Sequence, residues 1–100
     1  MALVDLGRVA DRITKVGQSG SFKATAQAIT EKQITFITPF EPGASVLVFL
    51  ALNTLSDYPD YGLLSFGVSN ITNKGFTIRV FNNSDRDLVP NILWYAAEVL

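Results

Sequence analysis

The sequence predicts an all-β protein: a six-stranded antiparallel β-sandwich carrying a short N-terminal α-helix able to form a coiled-coil stalk. Three observations lead there. Short apolar or alternating runs recur every 10–15 residues from Phe22 onward, separated by turn-forming clusters, the spacing of sandwich and barrel strands. The first sixteen residues follow a different period. At 100 residues the chain holds one small domain, which buries about 65% of its unfolded surface and gains from association.

The helix rests on Ala2, Leu6, Val9, Ile13 and Val16, which recur at spacings of 4, 3, 4 and 3, a heptad seam. Asp5, Arg8, Asp11, Arg12 and Lys15 fall outside it, with the acid early and the lysine late, as the helix dipole prefers. Gly7 costs such a helix about 1 kcal/mol. Sixteen residues make roughly 24 Å of helix, marginal without a partner surface. The partner is either the chain's own domain or copies of the helix, and the seam does not settle two strands against three. Gly17-Gln18-Ser19-Gly20-Ser21 then reads as a flexible joint. The organisation expected is a helix over 1–16, a linker over 17–21 and a β head over 22–100.

Within the head, Ala24 to Ile29 alternates. Gln33 to Thr38 puts Ile34, Phe36 and Thr38 on one face. Pro39-Phe40-Glu41-Pro42-Gly43 is a turn. Val46 to Leu52 is apolar on both faces, which implies cover on both, by the core and by a neighbouring subunit. Asn53 to Tyr61 is a polar, aromatic loop, and Leu63 to Ser69 a strand. Asn70 to Gly75 turns into the alternating strand Phe76 to Phe81. Asn82 to Asp87 is a second polar loop. Leu88 to Val99 closes the domain, with Pro90 near its start, where a missing N–H is tolerated.

Composition narrows function. Hydrophobic residues are 48% and charged residues 17%, against about 25% charged in an average chain. The excess belongs either in subunit interfaces or in a β-rich core. A net charge of −1 with scattered lysines and arginines leaves no footprint for nucleic acid. No apolar run is long enough for membrane insertion. The start MALVDLGRVADRITK has charges where a signal peptide needs an apolar run, so synthesis in a cytoplasm is expected. With no cysteine and no histidine, thiolate chemistry and the commonest general base and metal ligand are excluded. No cofactor is implied. An enzyme would need paired carboxylates from Asp57 and Asp60, or Asp85 and Asp87, as in glycoside hydrolysis, and so small a domain leaves little room for the cleft. Ca²⁺ binding by Asp57 and Asp60 fits no loop motif.

The better reading of these loops is recognition. Asp57, Tyr58, Asp60 and Tyr61 in one, and Asn83, Asp85 and Arg86 in the other, combine rigid aromatic faces with hydrogen-bonding groups; ordinary turn chemistry accounts for the same residues. Leu6, Val9, Ile13, Val16 and Trp94 are the candidate oligomer contacts, with Trp94 serving either the core or an interface.

The order Ile34-Thr35-Phe36, Pro39-Phe40, a hydrophobic strand, a variable loop, then V-S-N-I-T-N-K-G-F-T-I-R-V (68–80), Ser84-Asp85 and Trp94-Tyr95-Ala96 resembles the H-type lectin domain and similar modules of bacteriophage tail and head fibres. The resemblance covers about residues 30 to 98. Leu3 to Val9 also resembles the start of phage fibre and baseplate-associated proteins. What the resemblance implies is a trimeric six-stranded sandwich in a virion, attached to a host-surface glycan or protein. A soluble lectin with a sugar site at the subunit interface is the alternative, and a carboxylate glycosidase a remoter one. Asn83 stands where the lectins tend to have an aromatic residue, and no arginine here matches their sugar-binding one. Fold and trimer therefore carry over better than sugar specificity.

Overall fold

A computed structural model describes residues 14–53 and 59–99. It is all-β apart from one short 3₁₀ helix. The strands are β1 (Thr14–Ser21), β2 (Ala28–Thr35), β3 (Ser45–Leu52), β4 (Leu64–Ser69), β5 (Gly75–Asn82) and β6 (Asn91–Val99), and the 3₁₀ helix (Pro59–Leu63) leads into β4. They form two three-stranded sheets, β1–β6–β3 and β2–β5–β4, with every neighbouring pair antiparallel. The alternation in β3 and β5 sends every second residue inward, and the two sheets share one apolar core in the manner of a sandwich.

That core joins Ile34, Phe36, Phe76, Ile78 and Val80 from the β2–β5–β4 side to Ile92 and Ala96 of β6, with Val46, Val48 and Leu50 of β3 packed against them. At one end it is aromatic: Phe36 lies 5.2 Å from Phe40, 5.8 Å from Phe76 and 5.6 Å from Trp94, ring centre to ring centre. Such offset and edge-on pairs add about 0.5–1.5 kcal/mol each beyond the area they bury.

The expected helix does not reach Val16. Thr14, Lys15 and Val16 begin β1, paired with Ala97, Ala96 and Tyr95 of β6; Leu6, Val9 and Ile13 lie outside the described residues. The expected linker is strand as well, so the β domain starts by Thr14 and not at Phe22. Gly20 has φ 76° and sits where the β1–β6 register shifts between Gln18 and Ser21, so it marks a bulge. Gly17 serves packing: a Cβ there would come within 2.6 Å of the Trp94 ring. Two glycines read as a joint are thus one bulge and one close contact.

Other boundaries shift modestly. Ala24 makes an isolated bridge to Leu88, and the chain turns at Gln27 (φ 56°) before β2 begins. β6 starts at Asn91, just after buried Pro90. Trp94 faces inward, while its neighbours Leu93 and Tyr95 present the apolar outer surface of β6. Gly75 pairs with Thr35 at a tight approach of β5 to β2, where a Cβ would collide with the Ile34 carbonyl oxygen. Backbone cannot yield as a side-chain tip can. Gly75→Ala is therefore expected to cost about 3 kcal/mol and to lower the thermal midpoint, followed by circular dichroism, by roughly 15 °C.

Candidate functional site

The ends of β1 and β5 and the starts of β2, β4 and β6 meet at one end of the molecule, as the pairings Ser21–Asn91, Ala28–Asn82 and Leu64–Asn82 require. Three connections gather there: residues 22–27, the 3₁₀ helix and residues 83–90. The start of β1 and the end of β6 lie together at the opposite end, through the Thr14–Ala97 pair.

Asn82 organises the loop end. It is fully buried, and its amide donates to the carbonyls of Ala24 and Arg86, both at 2.9 Å. Its Oδ1 accepts from the Ser84 amide at 2.9 Å. The Ser84 hydroxyl donates to the Arg86 carbonyl at 2.8 Å, and Gln27 Nε2 donates to the Ser84 carbonyl at 3.0 Å. A buried network with its members satisfied holds one conformation. The 83–87 turn is consequently a fixed platform.

Arg86 projects from that platform, and its Nε lies 3.0 Å from Asp60 Oδ2 on the 3₁₀ helix. The Tyr61 hydroxyl accepts from the Val89 amide at 3.2 Å, and the Asn83 amide donates to the Leu63 carbonyl at 3.2 Å. The two loops proposed separately as recognition surfaces therefore form one cluster. It contains Asp60, Tyr61, Asn83, Asp85 and Arg86; Asp57 and Tyr58 lie outside the described residues. Asn83 and Asp85 are exposed, and their side chains are open to an outside partner. Asp60 and Tyr61 are engaged in joining the loops.

Sequence reasoning missed Lys23, and it weighed Asp87 only as one of a carboxylate pair. Asp87 Oδ1 accepts from the Ala26 amide at 2.9 Å, and its other oxygen lies 3.6 Å from Lys23 Nζ. It also missed the structural weight of Asn82, since asparagine in a polar run reads as exposed turn. Among the described residues no three carboxylates gather as a metal site would need. None of the described helices is long and apolar enough to cross a membrane.

A second surface lies on the outer face of the β1–β6–β3 sheet. The registers align three rows across it: Thr14–Ala97–Leu47, Val16–Tyr95–Phe49 and Gln18–Leu93–Ala51. None of these positions is charged. Val16 is 72% exposed, Phe49 61% and Leu47 50%. A groove of about 420 Å³ runs among Val16, Phe49, Leu93 and Tyr95, and the Phe49 and Tyr95 rings sit 6.3 Å apart. The outer face of the other sheet is mixed: there Glu31 pairs with Arg79 and Gln33 with Thr77, beside the exposed apolar pair Ile29–Phe81. The two-faced apolar character of Val46–Leu52 thus resolves into one face on the core and one left uncovered by the described residues.

No family model matches the chain, and the search of curated proteins gives no match. The class of protein rests on the architecture: all-β, two three-stranded antiparallel sheets, an apolar outer face and a cluster of polar loops at one end.

Proposed function

We propose that this chain is a structural and adhesive protein of the phage-fibre type. It is a homotrimeric, lectin-like β-sandwich that presents its loop cluster to a host-surface glycan or protein. The observation that carries the reading is the uncharged, strongly exposed apolar face of the β1–β6–β3 sheet. Contiguous apolar patches of this kind mark association sites, because monomers keep them small. The Glu31–Arg79 pair on the outer face of the other sheet makes that face the less apolar of the two.

The placement of the ends fits a head on a stalk. The chain enters β1 at the end opposite the loop cluster, so a particle on the entry side leaves the loops free. The resemblance to H-type lectin domains supports three subunits in place of two. It also supports a virion location, with the segment holding Leu6, Val9 and Ile13 at the attachment side. The expected mass by light scattering at micromolar concentration is about three times 10.9 kDa, since a desolvated apolar sheet face sustains such an assembly. A clean monomer would overturn the proposal, and a dimer would remove the trimer from it. A glycan array then decides whether the displayed partner is a sugar or a protein.

A further inference from the structure

We infer that the slot between the edge strands β1 and β2 binds a saccharide carrying a carboxylate. It is separate from the loop cluster and does not depend on the trimer. The slot has a volume of about 530 Å³, within the range that encloses small ligands. Its walls are the free sides of two edge strands, since among the described residues β1 pairs only with β6 and β2 only with β5.

The residues aimed into it are unusual for the inside of a small domain. Lys15 shares a face with buried Ala96, its partner across β6. Lys32 shares a face with buried Ile78, its partner across β5. Both lysines therefore point inward, from opposite walls of one cavity. Among the described residues no aspartate or glutamate lines it, and their ion pairs involve neither lysine. Lys15 Nζ lies over the Phe40 ring, 4.7 Å from its centre, which holds the ammonium near the slot without neutralising it. In a chain of net charge −1, two half-buried cations facing one space are an electrostatic demand for an anion.

Trp94 supplies the third element. It lines the same slot, and its indole Nε1 is buried without a hydrogen-bond partner. Buried indole N–H groups ordinarily find an acceptor, and none is present among the described residues. Gly17 leaves the ring room to lie against β1. The slot thus offers two ammonium groups and the Trp94 ring beside Ile34. An oxygen-rich anion with a ring fits that set. A carboxylate would meet the lysines, and the ring would cover Trp94 and Ile34. A bare inorganic anion would leave the apolar wall uncovered.

Inward lysines on edge strands also guard against edge-to-edge pairing, and the experiment separates the two roles. Trp94 is the chain's one tryptophan, so its fluorescence reports the slot directly. Titration of the full chain with glucuronic acid and with N-acetylneuraminic acid is expected to give a saturable change, weakened by salt. Glucose and N-acetylgalactosamine are expected to give none, and acetate a response weaker by about tenfold or more, lacking the ring contacts. Lys15→Gln with Lys32→Gln should weaken acidic-sugar binding by about tenfold or more, because charge-assisted hydrogen bonds are lost. Lys15→Arg with Lys32→Arg should retain it. If the double glutamine variant aggregates through its edges, Lys32→Gln alone supplies the same reading. No saturable response to either acidic sugar, an equal response to neutral sugars or to acetate, or binding untouched by lysine removal would each overturn the site. Light scattering on the same sample tests the trimer independently.

Discussion

Asn82→Ala is expected to lower the thermal midpoint by roughly 20 °C, on a loss of about 4 kcal/mol for a domain of this length. Asn82 is completely buried and serves three backbone groups at once: the carbonyls of Ala24 and Arg86 and the amide of Ser84. Truncation takes a partner from all three where water has little access, and a buried group left unsatisfied costs about 1–3 kcal/mol. The Ser84 hydroxyl still donates to the Arg86 carbonyl and the Leu88 amide to the Ala24 carbonyl, which keeps the total below the sum of three full penalties. Native domains have about 5–15 kcal/mol in all, so the variant stands near the edge of folding.

Asn82→Asp is the sharper form of the test, because size is unchanged. One carboxylate oxygen keeps the Ser84 amide, while the other meets two carbonyl oxygens that formerly received N–H donors. Burial and that repulsion both disfavour the charge, so the folded-state pKa is raised above the unfolded value of about 3.9. The variant should therefore be most stable at low pH, where the protonated acid can donate to one carbonyl. It should lose stability as pH rises from the unfolded pKa through the folded one. Thermal melts across pH 3–8, with the unsubstituted chain as reference, measure this directly. A midpoint within a few degrees of the parent for Asn82→Ala would mean that the 83–87 turn holds without its buried anchor.

How much of this was legible in the residues depended on whether a strand's inner face is apolar. β3 and β5 were plain, because Val46, Val48 and Leu50, and Phe76, Ile78 and Val80, alternate with residues of the other face. β1 was not. Its inward residues are Lys15, Gly17 and Ser19: one lysine reaches over Phe40, one glycine makes room for an indole, and one serine donates to the neighbouring Gly20 carbonyl and accepts from Ile92. No apolar alternation survives that combination. A heptad spacing running in from residue 2 then claims Val16, although its backbone pairs with Tyr95, far along the chain. The partner that makes the strand is invisible to any local pattern.

The loop site shows the same limit in another form. Turn residues in both connections were evident, and five of the seven candidates fall together in space. Their meeting depends on the Arg86–Asp60 pair and the Tyr61–Val89 hydrogen bond, which no spacing encodes. The chain places its polar network at the loop end and its aromatic cluster at the other. The first fixes the shape of what is displayed, and the second anchors the sheets where the chain enters.

Phe49→Glu is expected to convert the assembly to a folded monomer, with the mass by light scattering falling about threefold to 10.9 kDa. In the isolated subunit the substitution is mild: Phe49 is 61% exposed, and the ring contact with Tyr95 is worth about 0.5–1.5 kcal/mol. In the proposed trimer each copy would place a carboxylate on a face whose aligned rows hold no cation to receive it. At about 3 kcal/mol for each uncompensated buried polar group, three copies cost about 9 kcal/mol, which weakens assembly on the order of a million-fold. Ser65→Glu provides the control. Ser65 is exposed beside Phe81 on the outer face of the other sheet, where Glu31 and Arg79 already stand, and there the mass should not change. If Phe49→Glu keeps the full mass, the contact lies off this face. Val9→Asp with Ile13→Asp then asks whether the preceding segment alone holds the subunits together. If the mass falls while the thermal midpoint moves by only a few degrees, the apolar excess of the composition has its explanation in a shared sheet face.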